Sequence, residues 1–155
     1  MIRLLIFVSV FLANQIQAQV KPVRFEQLET LQKEEEKLIL VLIETDWCKY
    51  CHAMKYAIRN DKKLSEVLNK KFYTVFLNAE SMNNIEFGGK RFGFRPTGLN
   101  TGVHELAEQL GTVNGQLTFP TLCFLNRKNE IIFQYSGFLD SVSLLKMLNT
   151  LLLNK

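Results

Sequence analysis

The run Leu38-Ile39-Leu40-Val41-Leu42-Ile43 constrains what this chain can fold into more than any other stretch of it. Six apolar residues in a row, alternating with branched ones, leave no polar face, so the segment reads as a strand buried on both sides. A strand covered on both faces calls for a layered α/β architecture, with helices above and below a sheet. Directly after it come Asp46-Trp47-Cys48-Lys49-Tyr50-Cys51-His52 and then Ala53 to Ile58, which reads as helix. Two cysteines three apart therefore stand where a strand hands over to a helix. At such a junction the unpaired N–H groups and the helix dipole favour a thiolate on the first sulfur. The second lies one turn along, within reach of a disulfide.

The rest of the chain supplies the layers. Phe25, Leu28 and Leu31 recur at helical spacing and run into the charged turn Lys33-Glu34-Glu35-Glu36-Lys37, a solvated helix end. After the helix that follows the cysteines, which is expected to reach about Arg59, Asp61 is placed to cap a further helix carrying Leu64, Val67 and Leu68. Phe72 to Asn78 reads as a second central strand. Ile85-Glu86-Phe87, the turn Gly88-Gly89-Lys90, and Arg91 to Arg95 predict a β-hairpin ended by Pro96-Thr97-Gly98. A helix is expected from Val103 to Leu110, stopped by Gly111. Thr121 to Asn126 and Glu130 to Ser136 form an antiparallel pair, and a last amphipathic helix buries Leu144, Leu145, Leu148, Leu151 and Leu152. This order fits a central mixed sheet flanked by helices on both faces.

A second element strengthens the reading of the cysteines. Thr118-Phe119-Pro120-Thr121 leads into the apolar run Leu122-Cys123-Phe124-Leu125. Strand, Trp47-Cys48-x-x-Cys51, helix, and this proline ahead of a strand together resemble the thioredoxin superfamily, and its exported bacterial members in particular. The resemblance covers the chain from about Phe25 to its end, apart from residues 79–102, which depart from the family pattern as an insertion before the proline strand. It implies a thioredoxin-like fold in which Pro120 is cis and faces the cysteines. Cys48 is then an exposed nucleophile that attacks a substrate disulfide, and Cys51 a more buried thiol that resolves the mixed disulfide. Trp47, Lys49, Tyr50, Phe119 and Pro120 would line the substrate, with Lys49 adding positive charge beside the thiolate and the backbone of Phe119 open to pair with a substrate strand. No cofactor beyond the redox-active Cys48–Cys51 disulfide and no metal is implied. Partners would be protein or peptide disulfides and an electron-donating membrane thiol relay.

The chain departs from that family in two places. Phe119 stands where a smaller residue is common. Leu42 stands six positions before the first cysteine, where many members keep a buried acid that takes the proton of the resolving thiol. Glu44, two residues on and on the same strand face, is the substitute for that role; as an alternative it lies at the solvated end of the strand. Cys123 reads as a small buried hydrophobe, with a regulatory thiol as its other reading. Pro120 would also be tolerated as an ordinary strand-start proline.

Residues 1–18, a basic start, an apolar stretch from Leu4 to Ala13 and a small residue at Ala18, read as a secretory signal peptide, with residues 19–155 as one thioredoxin-like domain. An uncleaved N-terminal anchor is the alternative, and no cysteine follows the cut to carry a lipid. The expected location is periplasmic or secreted, with no stable membrane insertion after cleavage. Removing that segment takes away one arginine and no acid, which lowers the net charge from +4 to +3, too mild and scattered to argue for nucleic acid. Three cysteines do not make a disulfide framework. Three rival functions remain open. Cys48 to His52 also spells Cys-x-x-Cys-His, the attachment signature of c-type haem. A zinc site would need His104 or Cys123 to converge on the pair. A partner-binding module would use the 79–102 insertion as a docking flap, with the cysteines secondary.

Overall fold

The computed structural model describes residues 19–153; the expected signal peptide lies outside them. Helix α1 (Phe25–Glu34) precedes strand β1 (Leu38–Glu44), helices α2 (Lys49–Asn60) and α3 (Lys62–Lys71), and strand β2 (Phe72–Asn78). Four short strands follow, β3 (Ile85–Phe87), β4 (Lys90–Phe92), β5 (Phe94–Pro96) and β6 (Gly102–His104), then helix α4 (Glu105–Gly111). Strands β7 (Thr112–Val113), β8 (Gln116–Leu117), β9 (Thr121–Leu125) and β10 (Ile131–Ser136) lead to helix α5 (Ser141–Leu153).

The main sheet has the order β10-β9-β1-β2. β1 pairs parallel with β2 and antiparallel with β9, and β9 pairs antiparallel with β10, so the sheet is mixed. All seven residues of β1 are buried, and period-two alternation divides them between two cores. Ile39, Val41 and Ile43 join Phe25 and Leu28 of α1 and Leu106 and Leu110 of α4 on one face. Leu38, Leu40 and Leu42 join Met54 and Ile58 of α2, Leu64 and Leu68 of α3, and Leu144 and Leu148 of α5 on the other. The unbroken apolar run is thus the one-dimensional trace of a strand with a helical layer on each side. Glu44 shares the parity of Leu42 and therefore faces α2.

Local chemistry sets the joints. The Asp61 carboxylate caps α3 by accepting from the Leu64 N–H at 3.0 Å, as its place in the sequence implies. Tyr73 donates its hydroxyl to the carbonyls of Leu31 and Glu35, closing the C-terminus of α1 over the sheet.

The middle segment differs from its expected form. The first hairpin turns on Gly88-Gly89 alone, both at positive φ, and Lys90 belongs to β4. The strand expected from Arg91 to Arg95 breaks at Gly93, whose N–H and C=O are taken by the side chain and backbone of Glu105. Phe94 to Pro96 then pairs with Gly102 to His104 in a second hairpin, so Pro96 ends a strand and Val103 sits in a strand and not in a helix. Helix α4 starts only at Glu105, where the His104 ring nitrogen accepts from the Leu106 N–H, and Gly111 is its last residue, with Thr112 as the cap. The β7–β8 hairpin has no counterpart in the sequence reading, although its turn, Asn114-Gly115, is a strong local signal. Both residues take positive φ, 51° and 79°, as that turn requires.

The segment is anchored at both ends beside the end of β1. Ala79 donates its N–H to the Glu44 carbonyl at 2.8 Å, and His104 donates its N–H to the Ala79 carbonyl at 2.7 Å.

Candidate active site

Residues 45–48 form the loop between the buried strand and α2, and Cys48 is the N-cap of that helix. Cys48 and Cys51 are joined in a disulfide with their Cα atoms 5.2 Å apart, inside the range that a disulfide spans without backbone movement. The Cys48 sulfur also accepts from the Cys51 N–H at 3.1 Å. No acid lies in the first turn of α2, so nothing there opposes negative charge on the sulfur that caps it. Cys51 is fully buried and Cys48 retains 6 % exposure. Cys51 is the more buried of the two, but the Cys48 sulfur is recessed and not solvent-facing as the sequence implied, because it is bonded to the fully buried Cys51 and accepts from its N–H. Trp47 and Tyr50, each 67 % exposed, are the side chains that stand out at this turn.

The loop is braced from three directions. A His52 ring nitrogen bonds the Asp46 carbonyl at 2.7 Å. Asn78, at the end of β2, donates to the Asp46 carboxylate at 3.0 Å. Glu80 accepts from the Trp47 indole N–H with both carboxylate oxygens, at 3.1 and 3.2 Å.

The proline strand arrives beside this loop. β9 pairs with β1 up to Ile43 opposite Thr121, which puts Pro120 and Phe119 alongside the residues leading into the cysteine loop. The Phe119–Pro120 bond is cis, and the Trp47 and Phe119 rings meet edge to face with centroids 6.1 Å apart. Pro120 keeps its carbonyl engaged with the Gly137 N–H at 2.9 Å, while among the described residues Phe119 makes no backbone hydrogen bond.

Glu44 lies on the face of β1 that α2 covers. Its carboxylate is only 6 % exposed and pairs with the Lys55 ammonium, four residues and so one turn along α2 from Cys51. Burial removes the reading of Glu44 as a solvated strand end. Lys49 is exposed on the first turn of α2. Cys123 is buried mid-strand with its thiol pushed up to about 12 by burial, so it stays protonated and inert. Among the described residues no three His, Cys, Asp or Glu side chains come together to hold a metal, so neither His104 nor Cys123 converges on the pair.

Two site residues escaped the sequence reading. Glu80 reaches Trp47 from 33 positions away, and Phe138, after β10, stacks at a tilt on Tyr50 with centroids 5.7 Å apart. Neither carries a local signal, since each acts only through a contact made by the fold.

Residues 24–152 match the family model of a thioredoxin-like domain. No curated protein matches the chain by sequence. Among solved structures, one described as DsbH oxidoreductase superposes with a TM-score of 0.59 at 16% identity, covering 90% of each chain. A thioredoxin from Thermus thermophilus gives 0.59 at 17% identity, over 86% of this chain and 88% of that one. A disulphide isomerase from Xylella fastidiosa gives 0.55 at 15% identity, over 82% and 87%. At such identities the likeness is one of fold.

Proposed function

Because this chain belongs to the thioredoxin-like domain family over residues 24–152, we propose that its Cys48–Cys51 pair is the working centre of a thiol–disulfide oxidoreductase that reduces or exchanges protein disulfides. The observation that carries this reading is the disulfide itself, closed at the N-terminus of α2 with one sulfur as the helix cap.

The reaction balances within the dithiol. In the reduced protein the Cys48 thiolate attacks a substrate disulfide, breaking its S–S bond, forming a Cys48–substrate bond and releasing the first substrate sulfur as thiolate. Cys51 then loses its proton and attacks the Cys48 sulfur, which closes the 48–51 disulfide and releases the second substrate thiol. Two electrons pass to the substrate, and an external dithiol must return them. Glu44 is the acceptor we assign to the Cys51 proton: it is buried, on the right face, and paired with a lysine one turn from that cysteine. Lys49, on the first turn of α2, adds positive charge that favours the attacking thiolate. The free backbone of Phe119 offers an edge for an extended substrate segment, with Trp47, Tyr50 and Pro120 around it.

The first eighteen residues, with the pattern of a signal peptide, support placing this activity outside the cytoplasm, in the periplasm or in secretion. Reducing equivalents would there come from a membrane thiol relay. Trapping tests the order of attack. Reduced Cys51→Ser incubated with a disulfide-bonded protein accumulates a mixed disulfide through Cys48, and reduced Cys48→Ser accumulates none. A covalent adduct on Cys51 in the second variant, or none in either, contradicts the assignment.

A further inference from the structure

Trp47 is as exposed as Tyr50 at the site, and its indole N–H has one polar partner, Glu80. A side chain 67 % exposed would ordinarily sample several rotamers, yet its indole N–H lies between both oxygens of Glu80 at 3.1 and 3.2 Å. That bond is charge-assisted and therefore stronger than one to a neutral acceptor. Glu80 is itself located, since its backbone N–H donates to Asn78 at 2.8 Å and Asn78 donates to Asp46 in the cysteine loop at 3.0 Å. With its polar edge turned to Glu80, the indole presents its apolar surface with its ring against Phe119. On the other side of Cys48 in the chain, Tyr50 rests on Phe138, which is 43 % exposed. The disulfide is thus accompanied by two aromatic pairs, in which Trp47, Tyr50 and Phe138 are exposed and Phe119 is half-buried, and apolar surface so displayed marks a contact site.

We propose that Glu80 sets what this site accepts: by holding Trp47 against Phe119 it fixes an apolar ledge beside Cys48 that takes a polypeptide whose cysteine neighbours a bulky apolar residue, in preference to a small charged disulfide. The selectivity rests on the oxidoreductase reading above; the hold of Glu80 on Trp47 does not. Glu80 is a positioning and specificity residue, with no part in the electron transfer.

Trp47 is the sole tryptophan of the chain, so intrinsic fluorescence reports on it alone. The test compares wild type, Glu80→Ala and Glu80→Gln, the last keeping an oxygen that can accept from the indole. Emission and acrylamide quenching are measured on the oxidised proteins. Turnover is measured on two cyclic disulfide peptides that differ only in Phe or Ser beside the attacked cysteine, and on oxidised glutathione. Expected are freer quenching and shifted emission in Glu80→Ala and a return toward wild type in Glu80→Gln. For the Phe peptide, KM should rise about 3- to 10-fold in Glu80→Ala with kcat unchanged, and the Ser peptide and glutathione should be unaffected. Unchanged fluorescence in Glu80→Ala overturns the hold on Trp47. Altered fluorescence with an unchanged preference for the Phe peptide overturns the selectivity. If wild type turns over none of the three substrates, the oxidoreductase reading fails and takes the selectivity with it, while the fluorescence still decides the hold.

Discussion

Glu44 and Lys55 show how burial decides the worth of an ion pair. The carboxylate is 6 % exposed and the ammonium 28 %, so the two ends do not suffer equally when the partner is lost. Lys55→Met strands a charge that cannot reach water and is expected to cost on the order of 3 kcal/mol in urea unfolding. Glu44→Gln leaves an ammonium that can turn toward solvent and also rests over the Phe76 ring, and should cost less than half of that. Equal losses would show that the pair is not buried as described. Cys123 gives a second test at this scale. Its pKa is raised from 9.0 to about 12 by burial, so the folded state holds a proton that the unfolded chain gives up. The stability it contributes is complete below pH 9 and is lost as pH rises toward 12, at up to about 1.4 kcal/mol per pH unit. Cys123→Ala should therefore flatten the alkaline fall of stability, and native protein should resist alkylation at Cys123 at pH 8. A native protein that alkylates there would contradict its burial. The apolar role of Cys123 could be read from a run of branched and aromatic neighbours; the pairing of Glu44 could not, because Lys55 comes to it through the packing of α2 on β1.

At the scale of elements, the parts that follow from the sequence are those whose signal is local or periodic. β1 carries its two covered faces in one run, α5 carries its leucine stripe, and Asp61 stands at the cap it forms. The second hairpin lacks such a signature. Its strands are three residues each, and Gly93 ends the ladder because Glu105, twelve residues on, occupies its backbone. Gly102 is what lets β5 and β6 approach. A Cβ there would lie 2.7 Å from the Arg95 carbonyl oxygen and 2.2 Å from the Phe94 ring, and the backbone contact cannot be relieved by a rotamer. Gly102→Ala is expected to cost about 1–3 kcal/mol and to raise hydrogen exchange across residues 94–104 while β1 and β2 stay protected. Protection unchanged in that segment would count against the pairing. On the opposite side of the sheet, Leu148→Ala in α5 should cost about 2–5 kcal/mol, because a fully buried leucine leaves a cavity between α5 and the sheet.

The whole molecule places one recessed disulfide where strand, helix, proline loop and middle segment meet. Its thioredoxin-like architecture was accessible from sequence because the layers announce themselves by hydrophobic period and the cysteines by their place between strand and helix. The rim around the cysteines was only half accessible, since Glu80 and Phe138 join it through contacts 33 and 88 residues apart in the chain. The middle segment begins at the edge of this rim, with Ala79 bonded to the end of β1 and Glu80 to the tryptophan before Cys48. In the proposed function, a dithiol at 48 and 51 exchanges with disulfides of other proteins. Reduction of insulin, followed as precipitation of its freed B chain with dithiothreitol as donor, measures this directly in wild type and Cys48→Ser. Wild type should accelerate precipitation well above the dithiothreitol background and Cys48→Ser should match that background; equal acceleration by both proteins would contradict the account.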